Sequence, residues 1–154
     1  MKLSRFVLFS LLMGVLLLLG CGGASGTKVS GKVTYKNKPV SLANLTFVPA
    51  DNLDEGRQFS GMTSSEGRIT VDTQDQDGLP AGKYEITVDW WLQKNGKPVP
   101  DGEEGETMKE NGTAIHYRAS LTKDVKGEST VLNLSLDDAN PTVVRDDDEG
   151  GEGR

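Results

Sequence analysis

One stretch sets the fold class: Tyr84-Glu-Ile-Thr-Val-Asp-Trp-Trp91, with an apolar residue at every second position. Tyr84, Ile86, Val88 and Trp90 fall on one face of an extended chain, and Glu85, Thr87, Asp89 and Trp91 on the other. A period of two demands a half-buried strand, since a helix would scatter the same groups around its axis. The pattern recurs. Val29, Val33 and Tyr35 alternate with Lys28, Ser30, Lys32 and Thr34, and Leu45 and Phe47 with Asn44 and Thr46. Ile69 and Val71 alternate with Arg68, Thr70 and Asp72, and Leu132, Leu134 and Leu136 with Val131, Asn133 and Ser135. Phe59–Thr63 and Leu121–Val125 supply two further pieces. Gly31 interrupts an inward face, where a second backbone is expected to come close. Turn chemistry separates the runs at Lys36–Pro39, at Ser64–Gly67 with Gly67 suited to positive φ, and at Pro80–Gly82. Seven short strands with frequent turns predict an all-β antiparallel sandwich.

The first twenty residues stand outside that pattern. Lys2 and Arg5 precede the apolar region Phe6–Leu19. As a helix this run spans about 21 Å, against roughly 30 Å of bilayer hydrocarbon. It is short for a membrane span and has the flanks of a secretory signal, so a signal helix is expected over 1–20. Leu18-Leu-Gly-Cys21 closes it, and Cys21 is the single cysteine of the chain. This closure resembles the lipobox of bacterial lipoprotein precursors. The resemblance implies cleavage after Gly20, a diacylglyceryl group on the Cys21 sulfur and an acyl chain such as palmitate on the freed amine. Two or more acyl chains anchor a protein stably where one does not. Position 22 is Gly and not Asp, which implies the outer membrane or exported face rather than the inner membrane. The plain alternative is an ordinary signal peptide with Cys21 at the junction by coincidence.

Without residues 1–20 the chain has 134 residues, enough for one domain with tails. The formal charge moves from −6 to −8, with 15 Lys and Arg against 23 Asp and Glu. So acidic a surface does not suit nucleic acid, whose phosphates call for clustered cations. With Cys21 lipidated no cysteine is left for a disulfide, and packing alone must hold the domain. Residues 21–27, rich in Gly, read as a flexible tether. Residues 137–154, including Asp146-Asp-Asp-Glu149, hold little to bury and are expected as a disordered acidic tail. The folded body is then 28–136. Leu92–Gly112, rich in Lys, Glu, Gly and Pro, is expected as a mobile excursion, with a tight hairpin at Asn95-Gly96. Lys36-Asn-Lys-Pro-Val40 and Lys94-Asn-Gly-Lys-Pro-Val99 look alike. Nothing downstream of them matches, so they share turn chemistry and do not mark a domain repeat.

Several stretches together suggest a family. They are Val29-Ser-Gly-Lys-Val-Thr-Tyr35, Lys38-Pro-Val40, Leu45-Thr-Phe-Val-Pro49, Thr63-Ser-Ser-Glu-Gly-Arg-Ile69 and Leu79-Pro-Ala-Gly-Lys-Tyr-Glu-Ile-Thr-Val88. Ile115-His-Tyr117 and Val125-Lys-Gly-Glu-Ser-Thr-Val131 follow. In this order they resemble the carboxypeptidase regulatory-like domains, with Ser64 or Ser65 where that family commonly has Asp. The resemblance covers roughly 28–136. It implies a transthyretin-like, seven-stranded Greek-key sandwich and no catalytic activity of its own. The zinc peptidase domain of the carboxypeptidases has no counterpart here. Transthyretin-like hydrolases of purine catabolism use several histidines, whereas this chain has one, His116.

The remaining motifs are weak. A zinc site wants three or four Cys, His or carboxylate ligands, which leaves His116 reading as a surface or loop residue. Gly26-Thr-Lys-Val-Ser-Gly-Lys32 nearly spells a phosphate loop, but Val33 stands where Ser or Thr is needed and a strand follows in place of a helix. Asp72, Asp75 and Asp77 before Gly78 form a weak calcium candidate, with Thr73 at a position the calcium pattern gives to a ligand; a solvated turn is the plainer reading. Trp90 and Trp91 must point to opposite faces, so one is core. Trp91 is then either covered by the 92–112 excursion or an aromatic contact for a glycan or protein. Asn44, Asn111 and Asn133 begin Asn-x-Ser/Thr triplets, which carry meaning only in a eukaryotic secretory route. The expectation is a lipid-anchored envelope sandwich with a structural or binding role, no catalysis and no cofactor. Its partners are the membrane, through the lipid, and an envelope protein or glycan. A carbohydrate- or calcium-dependent adhesion module is the runner-up, and a hydrolase a remote third.

Overall fold

Alternating Val, Ile, Leu and aromatic residues are built into strands wherever turn residues release the chain. The computed structural model describes residues 26–50, 57–72, 78–127 and 129–145. The strands are β1 (Lys28–Tyr35), β2 (Lys38–Pro39), β3 (Asn44–Pro49), β4 (Phe59–Thr63), β5 (Ile69–Asp72), β6 (Gly82–Gln93), β7 (Ala114–Val125), β8 (Ser129–Ser135) and β9 (Thr142–Val143). One helix, α1 (Glu103–Glu110), joins β6 to β7, and a 3-10 turn at Leu136–Ala139 follows β8. A three-stranded sheet has the order β2-β1-β8, and a six-stranded sheet the order β5-β4-β3-β6-β7-β9. In the larger sheet β3, β4 and β5 form a meander and β6 returns beside β3. That spatial order defines a Greek key. The Tyr84 hydroxyl donates to the Pro80 carbonyl, 2.9 Å away and four residues upstream, as in the tyrosine corner of such sandwiches. The expected all-β sandwich is therefore what the chain forms.

The inward residues meet in one core. Val33, Leu45, Phe47, Leu79, Ile86, Val88, Trp90, Val125, Leu134 and Leu136 are all 1% exposed or less. All seven expected strands are present, with β2 and β9 as short additions. Gly31 does mark a close approach: its φ is +138°, and a Cβ there would fall onto the Leu132 carbonyl of β8. Gly67 takes φ +73° and accepts a hydrogen bond from the Val33 amide at 2.9 Å, tying the β4–β5 turn to β1.

Four expectations need correction. First, the sandwich is not wholly antiparallel, because β1 pairs with β8 in parallel from Lys28↔Ser129 to Thr34↔Ser135. The two strands lie far apart in sequence, so no hairpin dictates their direction. Second, Thr27 is no part of a free tether. It is buried, exchanges backbone hydrogen bonds with Leu79 at 2.6 and 2.9 Å, and donates its hydroxyl to the Gly127 carbonyl. Third, residues 137–145 belong to the fold. The Asp137 carboxylate accepts the Lys36 amide at 2.9 and 3.1 Å, Ala139 packs on the core and β9 pairs with β7.

Fourth, the 92–112 excursion has regular structure. The turn at Asn95-Gly96 forms as expected, with the Gln93 amide bonded to the Lys97 carbonyl at 2.9 Å. Val99 is buried beyond it. Helix α1 carries Glu103, Glu104 and Glu106 in its first turn and Lys109 in its last, as the helix dipole favours. Among the described residues no helix is long and apolar enough to cross a membrane. The leader, Gly20, Cys21 and the Asp146-Glu149 run lie outside the described residues.

Thr63 pins the corner between β2 and β3. Its buried hydroxyl donates to the Val40 carbonyl and accepts the Ala43 amide, both at 2.8 Å. Thr63→Val leaves both backbone groups unpaired, and we expect a loss of about 1–3 kcal/mol in urea unfolding. Gly31→Ala should lower the melting temperature more than an alanine at the turn glycine Gly96, where a Cβ meets nothing within 4 Å. Equal loss at the two glycines would mean that β1 and β8 are not packed backbone to backbone.

Candidate functional site

The β6–β7 ladder positions both surfaces that carry chemistry. It runs in register from Gly82↔Val125 to Gln93↔Ala114. Tyr84, Ile86, Val88 and Trp90 are buried, which sends Thr87, Asp89 and Trp91 to the outer face. Three cross-strand pairs line up there. The Thr87 and Ser120 hydroxyls hydrogen-bond at 3.1 Å, and Arg118 Nε donates to Asp89 Oδ1 at 2.7 Å. Trp91 stacks on His116 with centroids 4.5 Å apart and planes 10° from parallel. His116 Nε2 lies 3.0 Å from the same Asp89 Oδ1. A shallow groove of about 330 Å³ borders this row, edged by Trp91, His116, Lys109, Val143 and Arg145.

The Asp89 carboxylate thus serves two partners, and His116 is held by one ring face and one nitrogen. A histidine that acts as a general base in nucleophilic catalysis must face a hydroxyl or thiol. Asp89 takes one nitrogen of His116, as the carboxylate of a Ser-His-Asp arrangement does, and among the described residues no hydroxyl or thiol is hydrogen-bonded to the other. The row is a planar polar-aromatic strip suited to contact. Glu66 is a carboxyl held below the ordinary carboxylate range, first by the Arg68 hydrogen bond and then by the Arg68 charge. It is exposed on the β4–β5 turn and lines neither opening.

The inner face leads to a second opening. Trp90 stacks on Tyr117 with centroids 5.4 Å apart, and Tyr35 meets Trp90 edge-on at 5.4 Å. These three rings line a cavity of about 360 Å³, together with Lys36, Lys38 and Lys94. The Lys36 ammonium sits 5.1 Å from the Tyr35 ring centroid. The Trp90 indole N–H is buried and has no hydrogen-bond partner. An unpaired buried donor costs about 1–3 kcal/mol.

The sequence placed Trp91 correctly: it is half-buried and outward, while Trp90 is core. It did not anticipate the His116 stack or the link to Asp89 and Arg118. Opposite register positions on two strands carry that information, and only the pairing reveals it. The cavity is not legible as a site in the sequence, where the look-alike turns at Lys36–Val40 and Lys94–Val99 read as shared turn chemistry and nothing shows that the fold brings them together. Both contribute to its lining. Asp72 ends β5 opposite Ser60 and is exposed, and Asp75 and Asp77 lie outside the described residues. Among the described residues no three His, Cys, Asp or Glu side chains group to hold a metal ion.

The architecture and the two openings define a two-sheet Greek-key β sandwich. No protein-family model matches the chain, and no curated protein does. Among solved structures the chain is similar to the 5-hydroxyisourate hydrolase of Klebsiella pneumoniae, with 18% identity, 77% of this chain and 98% of that chain covered, and a TM-score of 0.40. The hydrolase activity is that protein's own.

Trp90→Ala should remove about 3–5 kcal/mol of stability, the usual cost of emptying a large core site. Trp91→Ala loses the His116 stack, about 0.5–1.5 kcal/mol, and keeps the far-ultraviolet circular dichroism of the unmodified protein. Equal losses in urea titrations of the two variants would place Trp91 in the core.

Proposed function

We propose that the chain is a lipid-anchored cell-envelope protein in which a sandwich of the carboxypeptidase regulatory-like, transthyretin-like kind serves a binding or structural role without catalysis. The observation that carries this reading is Leu18-Leu-Gly-Cys21 at the end of a basic-then-apolar leader. Support comes from the short reach between Cys21 and Thr27, where the sandwich begins. A chain lipidated at Cys21 holds its domain close to the bilayer surface and presents loops and the Trp91 strip from a rigid frame. The non-catalytic part rests on the resemblance, which implies no activity of its own.

A second reading is glycan binding at the outer strip. It is favoured by Trp91 standing beside the Asp89–Arg118 pair, since sugars pair an apolar ring face with hydroxyls that reach carboxylate and guanidinium groups. Trp91→Ala abolishes retention on an envelope-glycan array under this reading and leaves it unchanged under the structural one.

Intact-mass spectrometry of the chain purified from its native membrane tests the anchor. The expected product begins at Cys21 and carries a thioether-linked diacylglyceryl group. Cys21→Ser should move the protein to the soluble fraction on membrane flotation. A bare Cys21 thiol, or a retained leader, overturns the proposal.

A further inference from the structure

We propose that the cavity between the Lys36–Val40 and Lys94–Val99 turns is a binding site for a small organic anion with a planar apolar body. This inference stands independently of the lipid anchor. Its volume, about 360 Å³, falls in the range of small-molecule sites. Tyr35 and Tyr117, both partly exposed, offer the apolar ring surface, with the fully buried Trp90 packed against both. Three lysines, Lys36, Lys38 and Lys94, share the lining, and no Asp or Glu does. In a chain of 23 acidic and 17 basic residues this is a local inversion of charge.

The Asp137 carboxylate accepts the Lys36 backbone amide, while the Lys36 ammonium lies over the Tyr35 ring at the cavity lining. Ammonium groups ask for an acceptor with negative charge, and the rings ask for a flat body. An aryl carboxylate or aryl sulfonate satisfies both. The two turns, each a Lys-Asn sequence followed within a few residues by Lys-Pro-Val, supply the cationic side of the site.

Isothermal titration calorimetry with 2-naphthoate and its neutral counterpart 2-naphthamide tests this on the full-length chain in detergent, with protein-free micelles as blank. We expect 2-naphthoate to saturate a single site and to bind about tenfold more tightly than the amide, the effect of charge-assisted hydrogen bonds. Raising the salt from about 0.05 to about 0.5 M should weaken the anion and leave the amide unchanged. The exposed-lysine variant Lys36→Ala/Lys38→Ala/Lys94→Ala should bring the anion down to the level of the amide. Equal binding of acid and amide, no binding of either, or an unaffected lysine variant overturns the proposal.

Discussion

The register between β6 and β7 decides what the rest of the molecule faces. Twelve paired positions leave no slack: a slip of one residue would exchange Trp90 for Trp91 and turn every inward side chain of the ladder to solvent. The cost of such a slip is large because Tyr84, Ile86, Val88 and Trp90 are together buried against β1, β3, β7 and β8. Both openings inherit their composition from this register. The outer strip exists because Trp91 opposes His116 and Asp89 opposes Arg118, and the inner cavity exists because Trp90 opposes Tyr117.

A fixed register on the large sheet needs a second sheet to press against, and the chain obtains it by bringing its two ends together. β1 and β8 lie in parallel, close enough at Gly31 that a side chain there has no room beside the Leu132 carbonyl. Thr27 then ties the entry to Leu79 and Gly127, while Asp137 ties the exit to Lys36. With a single cysteine the chain can form no internal disulfide, and these long-range bonds do that closing work. They also explain why the fold extends beyond the apolar pattern at both ends. Hydrogen bonds involving the backbone hold Thr27 and the 137–145 segment, with Ala139 the segment's one apolar contact to the core among the described residues.

That distinction accounts for what was legible beforehand. Period-two alternation marks part of every long core strand, because burial of one face leaves a mark at every second residue, but it marks β7 only over 121–125 and not over its first half. Gly31 and Gly67 were legible because no other residue type suits their conformations. Helix α1 was not, since its residues Glu103-Glu-Gly-Glu-Thr-Met-Lys-Glu110 show no apolar stripe and a helix of eight residues rests on its context. The direction of β8 was not legible either, because alternation looks the same in parallel and antiparallel pairs. The Trp91 position was legible as a face but not as a site. Its neighbours His116 and Arg118 are distant in sequence, and no spacing rule connects them to Asp89.

The β1–β2 turn shows where local preference yields to the assembled fold. A two-residue hairpin with positive φ at both central positions favours Asn-Gly. Here those positions hold Lys36 and Asn37, at φ 51° and 60°. A lysine in the left-handed region costs roughly 1–2 kcal/mol. The Asp137 carboxylate offsets this by accepting the Lys36 amide, a charge-assisted hydrogen bond that the unfolded chain lacks. Had the turn served only to reverse the chain, glycine would do so with less strain. Keeping a long cation in a strained turn, over the Tyr35 ring and at the mouth of a cavity free of carboxylates in its lining, makes sense when the cation itself is used. Departure from turn preference and inversion of local charge therefore fall on the same residue, and each gives the other its reason.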